Sequence, residues 1–515
     1  MSPLASRPWI DRLLWVAGGV LLGLPFLFQQ LEWLVLLAPL PWLVAIEARR
    51  EHAFRRAYIG GFAFILTGLS WLFHVHPVAA IAAAAYFALY PSAWAMMTAA
   101  TRARGVPLWV AAPLAAWASE TLVSHVTLFK ATWLAFGYLA WRATAIAQVV
   151  DVVGVSGLSA LLILCACSIH RVLAACFEHG ALRRARTYGP LALALGLVAA
   201  CWLRGAAIVR SQANQPAALT VALVQGNIPQ EVRVRKSEAD AILAKHVRLS
   251  LPMARRVDLI AWPESTANYF LDREPALEAL LGETARQIGA PILVGALATN
   301  PSPAPPSNAA FLVTRDGIAA RADKRVLVPG AETLLQIDRI PALREPIGRF
   351  LSRTMHFRPY LLAGTQAVPL TITRRDGHDV IVGSLVCYDD NVPGPSEELR
   401  AKGASALIVM SNEAWFGTKE LDQHLAMATM RCIETRLPMG RATNTGRTCL
   451  IDACGRVQQM LPKDEDGVIL GDLPSCDMKP VPPWWRASLA LIVTVGMITL
   501  SVQSLVRTRL RRARA

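Results

Sequence analysis

Three residues in this 515-residue chain have side chains suited to covalent chemistry at a carbonyl: a cysteine and a glutamate that close apolar runs, and a lysine that stands before an irregular segment. Cys387 ends the run in VIVGSLVCYDDNVPG and is followed by polar residues and Gly394, so a strand reaching it would aim the thiol into a cleft. A nucleophilic thiol needs a base for its proton and a cation or N–H donors for the oxyanion it creates. Two other strand ends offer candidates: Glu264, closing LIAWPE, supplies a carboxylate, and Lys324, in RADKRVLVPGAE, an ammonium. Taken singly, each also fits a solvated charge or a partnered core group.

The chain has nine cysteines. Cys165, Cys167, Cys176 and Cys201 lie in or beside long apolar runs and read as small apolar fillers. Cys387, Cys432, Cys449, Cys454 and Cys476 lie in a more polar segment, and five is odd, so one thiol stays free unless it pairs between chains. No CxxC or His/Cys spacing supports a metal site.

The elements that must hold these groups follow from periodicity. Short β-branched runs at Leu219–Val224, Leu259–Trp262, Ile292–Ala296, Ala310–Thr314, Val380–Val386, Ala406–Met410 and Thr448–Asp452 are expected as strands. Ala276–Ile288 and His424–Thr435 have helical spacing. Strands this apolar need cover on both faces, which predicts an α/β domain. Thr299–Ser307, TNPSPAPPS, reads as a surface loop, and Val326–Leu362, rich in Pro and Gly, as an irregular binding loop or lid.

Outside that segment the chain is apolar: 54% of all residues are hydrophobic and 17% charged, too few charges for an ordinary soluble protein. Runs near the length needed to cross a bilayer occur at Leu13–Phe28, Leu31–Ile46, Tyr58–Val75, Val78–Ala100, Val106–Val126, Ala145–Ile169, Pro190–Ile208 and Ala487–Val506, predicting eight spans. From Arg210 to Trp485 there are 31 Lys+Arg against 30 Asp+Glu, and the flanks carry 21 against 7, so nearly all of the +15 net charge belongs to the apolar parts. A nucleic-acid binder would concentrate its excess on the folded polar domain, so no nucleic-acid partner is expected. One set of loop ends, from Arg7 and Arg12 to the tail at Arg507–Arg514, holds 17 basic residues, while the opposite short loops hold Lys130 and Arg142. The asymmetry places both termini in the cytoplasm and the polar domain across the membrane. Glu32, Glu120 and Asp151 fall toward the non-cytoplasmic ends, open to a headgroup role or to plain interfacial solvation.

The motif blocks around the three reactive residues carry a family resemblance. WPES, DKRVLVPGAE and VCYD are similar to the three blocks of the nitrilase superfamily, whose signature is Glu, Lys and Cys in that chain order. The whole chain, seven spans before the polar domain and one after, resembles the bacterial apolipoprotein N-acyltransferase family. Further blocks fit it: VALVQGNIPQ at Val221–Gln230, SNEAWFG at Ser411–Gly417, QHLAMA at Gln423–Ala428 and RATNTG at Arg441–Gly446.

The resemblance implies a multi-span α-helical membrane domain of about eight helices at 1–209, a nitrilase-like αββα sandwich at 210–484 in the periplasm of a bacterial inner membrane, and a last span with a basic tail at 485–515. It implies Cys387 as nucleophile, Glu264 as general base, Lys324 as stabiliser of the tetrahedral intermediate, and Glu332, Tyr388 and Asp389 at the substrate. The acyl donor would be a membrane phospholipid and the acceptor a diacylglyceryl apolipoprotein, with no cofactor or metal. The sequence departs from the family pattern where Val234 stands for a Trp, Gly330-Ala331 for Phe-Gly, Asp389 for a Glu and Glu413 for an Asp. These departures leave open a membrane-anchored amidase or an acyltransferase with another amine acceptor. A transporter or scaffold with a dead domain is opposed by the intact triad order.

Overall fold

The computed structural model describes residues 8–125, 133–178, 183–233, 235–334, 337, 340–355, 360–414, 416 and 418–514. Arg7, Val126, Lys130, Val234, Pro359, Trp415 and Gly417, which enter the sequence reading, lie outside these residues. The chain divides into two compact units, one of Met1–Arg210, Thr418–Ala426 and Val481–Ala515, the other of Ser211–Gly417 and Met427–Pro480. The short stretch Thr418–Ala426 thus groups with the apolar unit, although the sequence reading set it inside 210–484.

The apolar unit is helical. Among the described residues six helical segments are long and apolar enough to cross a membrane: Trp9–Leu27, Gln29–Ala48, Pro77–Arg102, Val150–Ala175, Ala185–Ser211 and Pro483–Arg507. The other two expected runs also fold as helices, Ala53–Gly68 and Leu108–His125, of 16 and 18 residues. Apolar side chains gain little by leaving lipid for protein, so close packing and buried hydrogen bonds hold such helices together. Trp15, Trp42 and Trp94 are buried, with the Trp42 indole donating to the Trp15 carbonyl at 2.9 Å and that of Trp94 to Ala112 at 3.0 Å. Gln423 adds a polar clasp: its amide donates to the Phe26 and Gly68 carbonyls at 3.0 and 2.8 Å and accepts from the Trp71 indole at 3.2 Å. Asp151 pairs with Arg204 at 2.8 Å, Glu32 accepts from the Trp141 indole at 2.9 Å, and Glu120 accepts from the Phe136 amide at 3.1 Å. All three intramembrane carboxyls therefore have internal partners that hold helices and turns in place.

The second unit is a two-sheet sandwich. Its strands in chain order are β1 (Ala217–Gln225), β2 (Leu259–Ala261), β3 (Ala267–Phe270), β4 (Ile292–Ala298), β5 (Ser307–Thr314), β6 (Gly317–Asp323), β7 (Pro369–Thr373), β8 (Asp379–Val386), β9 (Ala406–Ser411), β10 (Met439–Thr443), β11 (Cys449–Ile451), β12 (Val457–Met460) and β13 (Gly467–Pro474). One sheet runs β13-β1-β2-β4-β5-β6 with β3 beside β4, and the other runs β12-β11-β10-β9-β8-β7. Within them β1, β2 and β4 are mutually parallel, as are β8, β9 and β10.

Alternation along the strands builds the layers. In β1, Leu219, Val221 and Leu223 join Val382, Val386, Ile408 and Met410 in the core shared by the two sheets. The intervening Ala222 and Val224 face a second core with Leu243, Leu277, Leu281 and Ile288, supplied by the helices Ala239–Ser250 and Pro275–Ile288. A side-chain period of two sends successive residues to opposite faces, so both faces must be apolar where both are covered. The expected αββα plan, with all seven expected strands, is present. The sequence reading is corrected at Val326–Leu362, where Pro341–Met355 forms a helix. Its prolines mask a helical spacing at Leu343, Ile347 and Phe350: Pro341 opens the helix, where the N–H it lacks has no intrahelical partner, and Pro346 lies inside it.

Candidate active site

Reactive side chains gather where strands end. Glu264 follows β2, Lys324 follows β6 and Cys387 follows β8, all at carboxyl ends. Because β5 is antiparallel to both β4 and β6, β6 points the same way as β4 and β2, and the start of β5 falls at their carboxyl end. Residues separated by as many as 148 positions therefore meet at one rim. Ligand sites of open α/β sheets characteristically lie outside the carboxyl ends of the strands.

Lys324 is wholly buried, with its Nζ 3.2 Å from Glu264 Oε1 and 2.8 Å from Glu332 Oε1. Glu264 Oε1 also accepts from Asn308 Nδ2 at 2.7 Å, and Oε2 from the Asn412 backbone N–H at 3.1 Å. The Cys387 thiol hydrogen-bonds the same carboxylate. Glutamate, lysine and cysteine thus form one connected cluster. Burial pushes the Glu264 carboxyl up, but Lys324, Arg233 and hydrogen bonds from Lys324 and the thiol outweigh it and hold the group below the ordinary glutamate value. Burial opposes the Lys324 charge, while Glu264, Glu332 and Cys387 together keep it well above the ordinary lysine value. The Glu264 carboxylate is ionised and Lys324 stays charged at neutral pH.

Local backbone geometry aims these groups. Cys387 has φ +49° and Ser265, next to Glu264, has φ +46°, a left-handed conformation costing an L residue about 1–2 kcal/mol. Strain of this kind clusters where a side chain must be presented at one angle. Asp389 secures the turn: Oδ1 accepts the Arg325 and Val326 amides at 3.0 and 2.7 Å, and Oδ2 accepts Val386 N–H at 3.0 Å. With three backbone donors on its oxygens and 1% exposure, Asp389 ties the Cys387 turn to the loop after Lys324. Burial pushes its carboxyl up to about 7, while those amides and Lys324 pull the other way. Tyr388 is buried beside Cys387 in the turn Cys387–Asn391.

Glu332 is set by its loop. Its Oε2 accepts the Val328 amide at 2.8 Å, and Gly330, at φ +79°, donates to the Thr333 carbonyl at 2.8 Å to close the turn. A glycine is needed there for its backbone, which gives the Gly330-Ala331 departure a local reason. Gly295 on β4 meets a different demand: a Cβ there would lie 2.6 Å from the Pro263 carbonyl and 2.7 Å from Glu264 Cα. Glu413 is buried between the Arg441 guanidinium, at 2.7 Å, and the Arg447 amide, at 3.0 Å, so this departure sits in a buried ion pair.

All nine cysteines are free thiols. Burial drives Cys449 up to about 12 and Cys454 up to about 11, leaving both protonated and inert. Cys387 differs in touching a carboxylate and feeling two cations. Among the described residues no group of His, Cys, Asp and Glu is arranged to hold a metal ion. The sequence reading missed Asn308, Asn412 and Arg233. Asn412 lies in the SNEAWFG block and Arg233 just after VALVQGNIPQ, but only the folded registers reveal their partners.

Residues 220–482 match the carbon-nitrogen hydrolase family model, and residues 18–168 match the model of the apolipoprotein N-acyltransferase N-terminal domain. The chain is 28% identical to an apolipoprotein N-acyltransferase of Geobacter metallireducens, over 92% of this chain and 91% of the relative. It is 30% identical to one from Pseudomonas aeruginosa, over 91% of each, and 30% identical to one from Nitrosomonas europaea, over 81% of this chain and 82% of the relative. A crystal structure of an amidase from Nesterenkonia sp. is similar at 16% identity with TM-score 0.37, covering 51% of this chain and 92% of that one.

Proposed function

Since the chain belongs to the apolipoprotein N-acyltransferase family, with a carbon-nitrogen hydrolase domain of the nitrilase superfamily, we propose that it moves an acyl chain from a membrane phospholipid to the N-terminal amine of an S-diacylglyceryl-cysteine apolipoprotein. The observation that carries this reading is the Glu264 carboxylate held between the Lys324 ammonium and the Cys387 thiol.

Glu264 takes the thiol proton, and the thiolate attacks the ester carbonyl of the phospholipid. Lys324 and backbone N–H groups meet the oxyanion that develops on the carbonyl oxygen. The intermediate collapses by breaking the C–O bond, and the departing alcohol of the lysophospholipid takes the proton from Glu264. Cys387 now carries a thioester. The acceptor amine attacks this carbonyl and passes its proton to Glu264, the C–S bond breaks, and the thiol recovers its proton. Glu332 holds Lys324 together with Glu264 in this cycle, and the thioester keeps the acyl group activated without ATP.

Domain 210–484 is the catalytic domain on the periplasmic face, and the apolar flanks 1–209 and 485–515 hold it in the inner membrane with both termini cytoplasmic. Both substrates lie in the bilayer, so encounter is by lateral diffusion. The test is to incubate the purified chain with phospholipid and a diacylglyceryl-cysteine peptide. Mass spectrometry should find an acyl adduct on Cys387 with lipid alone and N-acyl peptide once the acceptor is added, with Cys387→Ser and Cys387→Ala forming neither. Hydrolysis of small amides without any N-acyl peptide would replace this reading with the amidase one.

A further inference from the structure

The short helix Gln230–Arg233 brings a second cation to the site. Arg233 Nε donates to the Ser265 carbonyl at 3.1 Å, and Nη1 to Gln230 Oε1 at 3.3 Å. The same Gln230 oxygen accepts from Asn412 Nδ2 at 3.1 Å, and the Asn412 backbone N–H donates to Glu264 Oε2 at 3.1 Å. Ser265 is the chain neighbour of Glu264, so these bonds close a ring that leaves Glu264 along the backbone and returns to its carboxylate. Asn444 braces the ring, donating to Asn412 Oδ1 at 3.1 Å while exchanging two bonds with the Ile228 backbone at 2.8 and 3.0 Å.

Charge balance gives the ring a task. Glu264 faces Lys324, Arg233 and the Cys387 thiol, and Lys324 is shared with Glu332. Asp389 also feels Lys324, but its oxygens are met by three backbone amides. With Lys324 alone, two carboxylates would share one cation in a site shielded from water. When Lys324 turns to the oxyanion its hold on Glu264 weakens further. Arg233 makes the count two against two, before the proton moves and after, since the charge leaving Glu264 reappears on sulfur or oxygen. We propose that Arg233 is a positioning residue for acyl transfer, aiming Glu264 through Ser265 and Gln230 and supplying the cation that keeps it ionised while Lys324 serves the oxyanion. The inference rests on Glu264 acting as the base.

The experiment uses the full chain in detergent, with Arg233→Gln and Arg233→Lys. Formation of acyl-Cys387 from phospholipid, and alkylation of Cys387 by iodoacetamide, are each followed by mass spectrometry as a function of pH. Arg233→Gln should slow both by on the order of tenfold or more and move the acid limb of both profiles up by about one pH unit. Arg233→Lys keeps the charge but not the two-pronged bond, so its limb should stay near wild type while its maximal rate falls. Wild-type rates and limbs in Arg233→Gln, or equal losses in both variants without a shifted limb, would overturn the proposal. If Arg233→Gln does not fold, Arg233→Lys decides: a lower maximum at an unchanged limb supports the ring, and wild-type behaviour refutes it. A wild-type chain that alkylates normally but never acylates from lipid would sink the acyltransfer reading, and the alkylation profiles would still judge Arg233.

Discussion

Replacing Lys324 by methionine removes the ammonium that Glu264 and Glu332 share, whose side chains are 9% and 16% exposed. Breaking a buried ion pair from one side leaves uncompensated charge and costs about 3–5 kcal/mol. For a domain of this size each kcal/mol moves Tm by about 2–4 °C, so Lys324→Met should unfold roughly 6–20 °C below wild type at neutral pH. The assay is heating of the full chain in detergent with a thiol-reactive dye, because Cys432, Cys449 and Cys454 are buried in this unit and react only once it opens. The pH dependence carries a sign. In wild type Glu264 lies below its ordinary value of 4.5, so its stabilisation is complete above about pH 4.5 and is lost as pH falls through the folded value. In Lys324→Met the buried carboxylate rises above 4.5 and binds a proton the unfolded chain releases, so the variant gains stability as pH falls from 7 toward 5. The gap in Tm should therefore narrow on acidification. The triple variant Glu264→Gln, Lys324→Met, Glu332→Gln should regain most of the lost Tm without any acylation of Cys387. A single variant as stable as wild type, or a gap that is constant from pH 7 to 5, would refute the claim that the three groups form one charge-balanced cluster.

Further predictions concern the groups around that cluster. Because Glu264 is held low, the rate of Cys387 acylation should have no acid limb between about pH 5 and 7, and a limb centred near 6.5 in a stopped-time assay would show that another group is the base. Asp389, raised to about 7, binds a proton when folded that it releases when unfolded between pH 3.8 and 7, so its contribution falls as pH rises through that window. Asp389→Asn should abolish this slope in Tm and cost about 1–3 kcal/mol near pH 4, because an amide NH2 cannot accept the Val386 N–H, with the cost shrinking as pH rises toward 7; an unchanged slope would contradict the assignment. Gly295→Ala drives a methyl into the Pro263–Glu264 backbone and should cut acylation by about 100-fold, read as initial rate at saturating phospholipid, whereas wild-type rates would show that the strand end yields freely.

What the sequence determined by itself is local: apolar runs of membrane length, seven strands marked by β-branched residues, and a glutamate, lysine and cysteine in the chain order of a known family, the glutamate and cysteine closing two of the strands. Burial leaves that record because a side chain's face follows from its position in a period of two or 3.6 residues. The tertiary structure decided whatever depends on registers between distant segments. It brought Lys324 to Glu264 across 60 positions and Asn412 to Glu264 across 148, distances over which no periodicity carries information. It gave Asp389 three backbone amides and so a task in holding the Cys387 turn, where the sequence offered only its place next to Tyr388. It also turned Arg233, an ordinary basic residue in a polar stretch, into the partner of Ser265 and Gln230. A hydrogen bond fixes a pair of atoms within a few tenths of an ångström, and only the closed sandwich sets those pairs.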